Sequence, residues 1–165
     1  MPQTDNELLK ERVQNMLNHC EISNVRVLEF SAKRYAEHSA PAIAHISSET
    51  SYQVNEDAFR NRYLWKAELI DDSTTPVAEL SATIVVEFET LEGFEPDAEA
   101  ADVIAGSTGF FAAYPYVREL FQASTARLQM DPMVLGMLFA GSTQPRGVTI
   151  TRTSDYEHLE GESAR

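Results

Sequence analysis

The stretch that decides the fold is GFFAAYPYVRELFQASTARLQMDPMVLGMLF, which spans residues 109–139. It carries more apolar side chains than one face of a single helix can bury. Pro115 lies in its middle, and proline suits the first turn of a helix because its φ is fixed and its missing N–H has no partner there. We therefore expect a helix to restart at Pro115, to follow an apolar face at helical spacing, and to end at Asp131 and Pro132.

The residues after Pro132 predict a second, shorter helix with its own apolar face. That face consists of Met133, Val134, Met137, Leu138 and Phe139. One interpretation is that both helices cover a sheet and belong to its core, as apolar side chains usually do. The alternative is that the second helix is more apolar than this task requires, so that part of it binds something else.

Upstream of the helices, the sequence predicts four β-strands. They cover residues 24–35, 43–54, 59–69 and 77–89, and turn-forming residues separate the third strand from both of its neighbours. The fourth strand alternates apolar and polar residues along its length, which indicates an antiparallel sheet with one buried face. Because the strands come first and the helices follow, the expected class is α+β, with the helices packed on one side of the sheet.

The two ends of the chain differ from this central part. Residues 1–22 predict an amphipathic helix, because Thr4 and Glu7 have capping-box spacing and apolar residues up to Cys20 share one face. Residues after 141 are polar, which favours a flexible tail, although residues 148–150 could add a short strand. The predicted organisation is an N-terminal helical extension at 1–22, one domain at 23–141 and a polar tail at 142–165.

The composition excludes several kinds of function. The formal net charge is −13 and the isoelectric point about 4.6, so a nucleic acid is not an expected partner. The first residues are charged and no apolar run is long enough to span a membrane, so we expect a cytoplasmic protein without membrane insertion. Its single cysteine, Cys20, fits a reducing compartment.

Residues 87–102 contain seven carboxylates and no basic residue, which is typical of a solvated loop; the alternative is a docking surface for a basic partner.

No arrangement of residues in the sequence predicts catalysis or a cofactor. The four histidines are dispersed and none has metal-ligand spacing with Cys20, so no metal site is expected. The glycines at 106 and 109 resemble a phosphate-binding loop but lack a following lysine, and the sequence has no nucleophile elbow. We therefore expect a protein that is not an enzyme.

Three segments carry a resemblance to a known family. Tyr114-Pro115-Tyr116-Val117-Arg118-Glu119 has the pattern aromatic-Pro-Tyr-x-Arg-Glu, Ser39-Ala40-Pro41 closes the first strand, and Leu128-Gln129-Met130-Asp131-Pro132 leads to the last helix. With the alternating strands, these segments resemble SecB, the export chaperone, from Val25 to Leu138. The resemblance is greater to the SecB-like chaperones associated with toxin–antitoxin systems.

The resemblance implies both a fold and an activity. SecB-like proteins have a four-stranded antiparallel sheet, a long helix interrupted where Pro115 stands, and a final helix that forms the lid of a groove. They are homotetramers, built as dimers of dimers, and without ATP they hold unfolded preproteins or antitoxins in apolar grooves, soluble and competent for export or assembly.

By the same resemblance, specific residues of this chain receive roles. Met-rich surfaces accommodate varied clients, and the client-binding groove would comprise Tyr35, Ile43, Tyr116, Leu120, Met130, Met133, Val134, Met137 and Leu138. The family motif would have a structural role through Tyr114, Pro115, Tyr116, Arg118 and Glu119.

The likeness to export SecB is incomplete at the surface that binds the SecA export motor. Export SecB carries acidic residues on its first strand and outer sheet face, where this chain has Tyr35 and Ser39, and Glu79 and Ser81. We therefore expect only weak docking to SecA, and the client is either a range of exported proteins or one antitoxin. From a different class, the alternative is a small-ligand-binding or isomerase-like domain that uses the apolar cleft as a closed pocket with convergent polar groups.

Overall fold

The computed structural model describes residues 2–136, 148–150 and 155–156. In chain order, its elements are α1 (Pro2–Asn18), β1 (Cys20–Arg34), β2 (Ile43–Val54), β3 (Ala58–Ile70), β4 (Pro76–Thr90), α2 (Ala98–Ala105), α3 (Thr108–Arg127), β5 (Val148–Ile150) and β6 (Asp155–Tyr156). The four long strands pair only in antiparallel fashion with one another. The α+β class and the four-stranded antiparallel sheet predicted from the sequence are therefore confirmed.

The order of the strands in the sheet is β1-β4-β3-β2-β5, and β6 also pairs with β2. Because β1 and β2 are not neighbours, residues 35–42 must cross the end of the sheet at which β3 turns into β4; we call them the crossover loop. Two backbone hydrogen bonds fix its ends: the amide of Tyr35 donates to the carbonyl of Val77 at 2.8 Å, and the amide of Ala42 donates to the carbonyl of Ile70 at 2.8 Å. The loop therefore lies over the β3–β4 hairpin.

The inner face of the sheet forms the core because every second residue of β3 and β4 points to it. On β3 the buried residues are Phe59, Asn61, Tyr63, Trp65, Ala67, Leu69 and Ile70, and the first six alternate along the strand on this face. α3 packs on this face through Phe110 and Tyr114, whose ring centroids lie 5.4 Å and 5.7 Å from that of Trp65. This contact positions α3 relative to the sheet.

The structure corrects the predicted interruption at Pro115. The helix α3, Thr108–Arg127, is continuous and has Pro115 inside it. Since Pro115 has no N–H, the carbonyl of Phe111 lacks its usual helical partner. The flanking turns are nevertheless held in place, because Tyr114 and Val117 are buried against the sheet and this burial offsets the missing hydrogen bond.

The boundary of the first helix also differs from the prediction. α1 ends at Asn18 and β1 begins at Cys20, so a helix through residue 22 with Cys20 on its apolar face is wrong. Cys20 pairs with Thr90 of β4 instead, because the long edge of β4 extends the ladder to that point. The apolar face of α1 is real in its last turns, where Met16 is fully buried.

The acidic run contains a helix that the sequence did not predict. α2 begins inside the stretch predicted as a solvated loop, after Asp97, whose carboxylate accepts a hydrogen bond from the amide of Ala100 at 2.7 Å. Arg12 of α1 forms ion pairs with Asp97, at 3.0 Å, and with Glu99. Part of the acidic run therefore binds the N-terminal helix of the same chain.

The second helix predicted after Pro132 does not begin there. Residues 131–136 have no regular secondary structure; their backbone forms hydrogen bonds with side chains of α3 instead. Met137, Leu138 and Phe139 lie outside the described residues.

The segment predicted as a polar tail contributes to the edge of the sheet. Residues 148–150 form β5, which pairs in parallel with Ile46, Ser47 and Ser48 of β2, so the short strand that the sequence allowed is present. β6 pairs with the same strand nearer its end. The division of the chain after residues 22 and 141 stays a prediction.

Candidate functional site

After α3 the chain turns back along that helix, and we call residues 130–136 the strap. The amide of Met133 donates a hydrogen bond to the hydroxyl of Thr125 at 2.8 Å. Nearer the start of α3, the hydroxyl of Tyr114 donates to the carbonyl of Gly136. Because Tyr114 precedes Thr125 in α3 while Gly136 follows Met133, the strap runs antiparallel to the helix and is attached to it at two points.

The side chains of the strap differ in their exposure. Gln129, with a φ of 57°, reverses the chain at its start, after which Met130 and Leu135 are buried in the core. Met133 is partly buried and packs against the same core. Val134 lies between anchored neighbours and is 57% exposed. The attachment of the strap to α3 therefore keeps the apolar side chain of Val134 exposed to solvent.

Two further apolar side chains are exposed at the ends of the crossover loop. Tyr35 and Ile43 are about half exposed. The hydroxyl of Tyr35 donates to the carboxylate of Glu79 at 3.4 Å, and the ammonium group of Lys33 lies 5.0 Å from the centroid of its ring. Partial desolvation and the neighbouring carboxylate raise the pKa of Tyr35. The ring is thus contacted by a cation and a carboxylate, while about half of the side chain stays exposed.

The crossover loop and the start of the strap meet at Arg34. Its guanidinium donates hydrogen bonds to carbonyls of the loop and to the carbonyl of Leu128, the residue that caps the end of α3. Tyr35, Ile43, Met133 and Val134 therefore belong to two segments that are joined at one end of the molecule. We call these four residues the loop–strap surface. Tyr35 and Ile43 lie on the outer side of the sheet there, with Glu79, and the strap lies on the inner side with α3.

The other residues predicted for a groove lie elsewhere. Tyr116 is 43% exposed on α3, and Leu120 on the same helix is partly buried. At 1.5 Å per residue, Leu120 lies about 12 Å along the helix axis from Leu128, away from the loop. Met130 is buried in the core rather than exposed on a groove. Met137 and Leu138 lie outside the described residues.

The residues of the aromatic-proline motif differ in their surroundings, and a structural role of the motif as a whole stays a prediction. Tyr114 is buried and binds the end of the strap, whereas Pro115, Tyr116 and Glu119 are exposed. Burial raises the pKa of Tyr114 to about 12, and the positive charge of Arg118 opposes this increase. The phenol of Tyr114 therefore stays protonated, as its hydrogen bond to the strap requires.

Exposed apolar side chains on β1 were not predicted as part of a site. Ile22, Val27, Leu28 and Phe30 are between 36% and 50% exposed, and β1 is an edge strand of the sheet. The register between β1 and β4 shifts twice, once next to Ile22 and once next to Val27. Because each shift changes the face to which the following residues point, simple alternation in the sequence does not reveal this surface.

Other kinds of site have little support in the described part of the chain. Its histidine, cysteine and carboxylate side chains nowhere form a group of three that could hold a metal ion. Of the helices that the structure describes, none is long and apolar enough to cross a membrane. A cavity of about 320 Å³ lies at the end of the sheet opposite the crossover loop, but charged residues line it, among them Arg60, Glu87 and Glu89. It does not match the apolar cleft of the ligand-binding alternative.

Comparisons with known proteins identify the fold. No family model matches the sequence, and no curated protein matches it. Among solved structures, the SecB-like chaperone Rv1957 of Mycobacterium tuberculosis, in complex with a ChAD peptide from the Rv1956 HigA1 antitoxin, matches with a TM-score of 0.69 and 26% sequence identity, over 78% of this chain and 97% of that chain. This chain has a SecB-like fold.

The SecB-like fold confirms the resemblance that the motif and the alternating strands indicated. A second solved structure, a protein of unknown function from Streptococcus agalactiae, matches with a TM-score of 0.43 and 11% identity, over 72% of this chain and 97% of that chain. That likeness is too low to add to the assignment.

The hydrogen bond between Tyr114 and the strap gives a pH-dependent prediction. Tyr114→Phe should lower the free energy of unfolding by about 1 kcal/mol at neutral pH, since it removes one hydrogen bond. Between the ordinary tyrosine pKa of 10 and the raised value of about 12, the unfolded chain loses this proton first, so the wild type becomes less stable as pH rises. Urea denaturation of both proteins across this pH range should show that the difference between their free energies of unfolding becomes smaller as pH rises.

Tyr116→Phe serves as the matched control for that measurement. Tyr116 is exposed two residues further along the same helix, and its loss should change the unfolding free energy little. A difference between wild type and Tyr114→Phe that stayed constant up to high pH would contradict the assigned hydrogen bond.

Proposed function

We propose that this SecB-like protein is a chaperone that binds unfolded or aggregation-prone polypeptides without ATP and without catalysis. The observation that carries the proposal is the combination of a SecB-like fold with a loop–strap surface on which Tyr35, Ile43 and Val134 remain exposed. Burial of one large apolar side chain contributes about 1.5–3 kcal/mol, so a client that covers several of them can bind. Because this contribution is non-directional, it suits clients of varied sequence.

The proposed client groove begins at the loop–strap surface and continues along α3. Tyr35, Ile43, Met133 and Val134 would form its first part, followed by Tyr116 and Leu120. Met130 would support the groove from inside the core, and Met137 and Leu138 would extend it. An open groove of this kind accepts an extended chain, whereas a small ligand needs an enclosed pocket with converging polar groups.

Two kinds of client fit the proposal. Rv1957 holds a ChAD peptide from an antitoxin, and by analogy an antitoxin segment is the first candidate for this chain. Preproteins held competent for export are the second, and they would require docking to the SecA motor. At the corresponding surface this chain places Lys33 and Tyr35 beside Glu79 and its cross-strand neighbour Glu68. Ser81 follows on the same face of β4 and pairs with Lys66, so lysines stand next to both carboxylates. This arrangement favours the antitoxin client.

The two kinds of client can be distinguished by titration against SecA. We expect weak binding that is lost on going from low to moderate salt, because exposed charges are screened over about 8–10 Å at ordinary ionic strength. Binding of an unfolded polypeptide should survive the same change, since apolar burial drives it. Isothermal calorimetry at both salt concentrations measures the two affinities. Tight SecA binding at moderate salt would favour general export instead.

The loop–strap surface is tested by introducing charges into it. Ile43→Asp combined with Val134→Asp should weaken the binding of an unfolded protein at least tenfold, because a charge would then have to be desolvated. Both side chains are exposed, so the unfolding free energy should change by only about 0.5 kcal/mol. The measurement is suppression of light scattering by a heat-aggregating model protein.

Leu91→Asp is the control for that experiment, because Leu91 is equally exposed in the turn after β4. It should suppress aggregation as well as the wild type does. Undiminished activity of the double variant would remove the loop–strap surface from the proposed groove, and loss of its fold would show that these side chains are structural.

We further propose a homotetramer built as a dimer of dimers. Support comes from β1, an edge strand that exposes Ile22, Val27, Leu28 and Phe30. An edge strand of this length offers unpaired backbone groups as well as apolar side chains, so natural proteins usually cover such an edge. A second copy of the chain would cover it.

The assembly is tested with a charge on that edge. Multi-angle light scattering should show a tetramer at micromolar concentration, and Val27→Glu should shift it towards smaller species because a carboxylate would enter the contact. The control is Gln14→Glu, which adds the same charge at an exposed position of α1, away from the β1 edge. A wild-type protein that is monomeric under these conditions would contradict the proposed assembly.

A further inference from the structure

Arg34, the last residue of β1, donates three hydrogen bonds to carbonyl groups of the crossover loop. Its Nε donates to the carbonyl of Ala36 at 2.9 Å. Its Nη2 donates to the carbonyls of Glu37 at 2.7 Å and Ser39 at 3.4 Å. These contacts hold the middle of the loop, between the two ends that are fixed by the β3–β4 hairpin.

The remaining donors of Arg34 bind the end of α3. Nη1 donates to the carbonyl of Leu128 at 2.7 Å and to that of Gln129 at 3.1 Å. The last carbonyls of a helix have no partner within the helix and carry partial negative charge, so a cation is favourable there. A guanidinium has five N–H donors in a fixed planar fork, and all five have a backbone acceptor here.

These contacts connect the two halves of the loop–strap surface. Tyr35 directly follows Arg34, and the strap that carries Val134 begins directly after Gln129. The guanidinium thus bridges the loop just after Tyr35 and the chain just before the strap begins. Its fork geometry defines the distance between the loop and the helix end more narrowly than a single hydrogen bond would.

We infer that Arg34 is a positioning residue that sets the separation of the crossover loop and the strap, and thereby the shape of the surface that receives an unfolded client. The inference rests on the proposed function. A surface held in its binding shape loses less conformational entropy when a client binds, so its affinity is higher than that of a mobile one. Lysine cannot replace arginine at this position, because an ammonium group is a point charge with three donors and cannot span both segments.

The test compares Arg34→Lys and Arg34→Gln with the wild type and with Arg127→Met. Arg34→Lys keeps the charge and loses the bridge. Arg127→Met loses a charge from the exposed last turn of α3 and keeps the bridge. The probe is reduced and carboxymethylated α-lactalbumin, a permanently unfolded protein, and calorimetry measures its affinity. Hydrogen exchange of backbone amides is followed on the same samples.

Both Arg34 variants should bind the probe roughly tenfold more weakly than the wild type. Exchange should accelerate at the amides of Ala36, Met130 and Met133, which are hydrogen-bonded in the loop and strap, and should be unchanged in β3. Arg127→Met should match the wild type in both measurements. A residue with only a general structural role would accelerate exchange throughout the sheet.

Three results would overturn the inference: probe binding by Arg34→Lys equal to that of the wild type, exchange that accelerates across the whole chain, or failure of both Arg34 variants to fold. A wild-type protein that does not bind the probe would refute the proposed function instead. In that case the exchange data would still decide whether Arg34 fixes the loop to the helix.

Discussion

The packing of α3 on the aromatic inner face of β3 is the contact on which the other parts of the structure depend. Trp65 of β3 lies against Phe110 and Tyr114 of α3. Because these rings are large and buried, they determine the position of the helix along the sheet and keep it continuous through Pro115. The end of α3, and with it the start of the strap, is therefore located by a contact made near the start of the helix.

The order of the strands brings the two segments of the proposed site to the same end of the sheet. Since β4 and β3 lie between β1 and β2, the chain must cross the end of the sheet, and it does so next to the end of α3. The crossover loop is held by hydrogen bonds to its backbone, and the strap is held by hydrogen bonds to its backbone together with the burial of Met130 and Leu135. Tyr35, Ile43 and Val134 can therefore remain exposed in an ordered structure.

Charge has a different role from the one that the overall composition suggests. The chain is strongly acidic, yet its acidic run is partly engaged by Arg12. Arg34, the cation that joins the two segments of the proposed site, binds backbone carbonyl groups with its guanidinium. Selectivity for unfolded chains by such a surface depends on apolar burial, to which the net charge contributes little.

The sequence by itself determined the elements whose periodicity is set by a buried face. The alternation of apolar and polar residues up to Phe88 predicted the fourth strand, and β2 has the predicted bounds, Ile43–Val54. The tertiary structure decided the features that depend on distant partners. Pro115 is inside a helix because the flanking residues of α3 pack on rings of β3, and Cys20 belongs to a strand because Thr90 lies beside it. Arg34 binds the carbonyl of Leu128, which is 94 residues further along the chain. Local patterns cannot specify these outcomes, because the free energy that decides them comes from contacts that form only when the chain is folded.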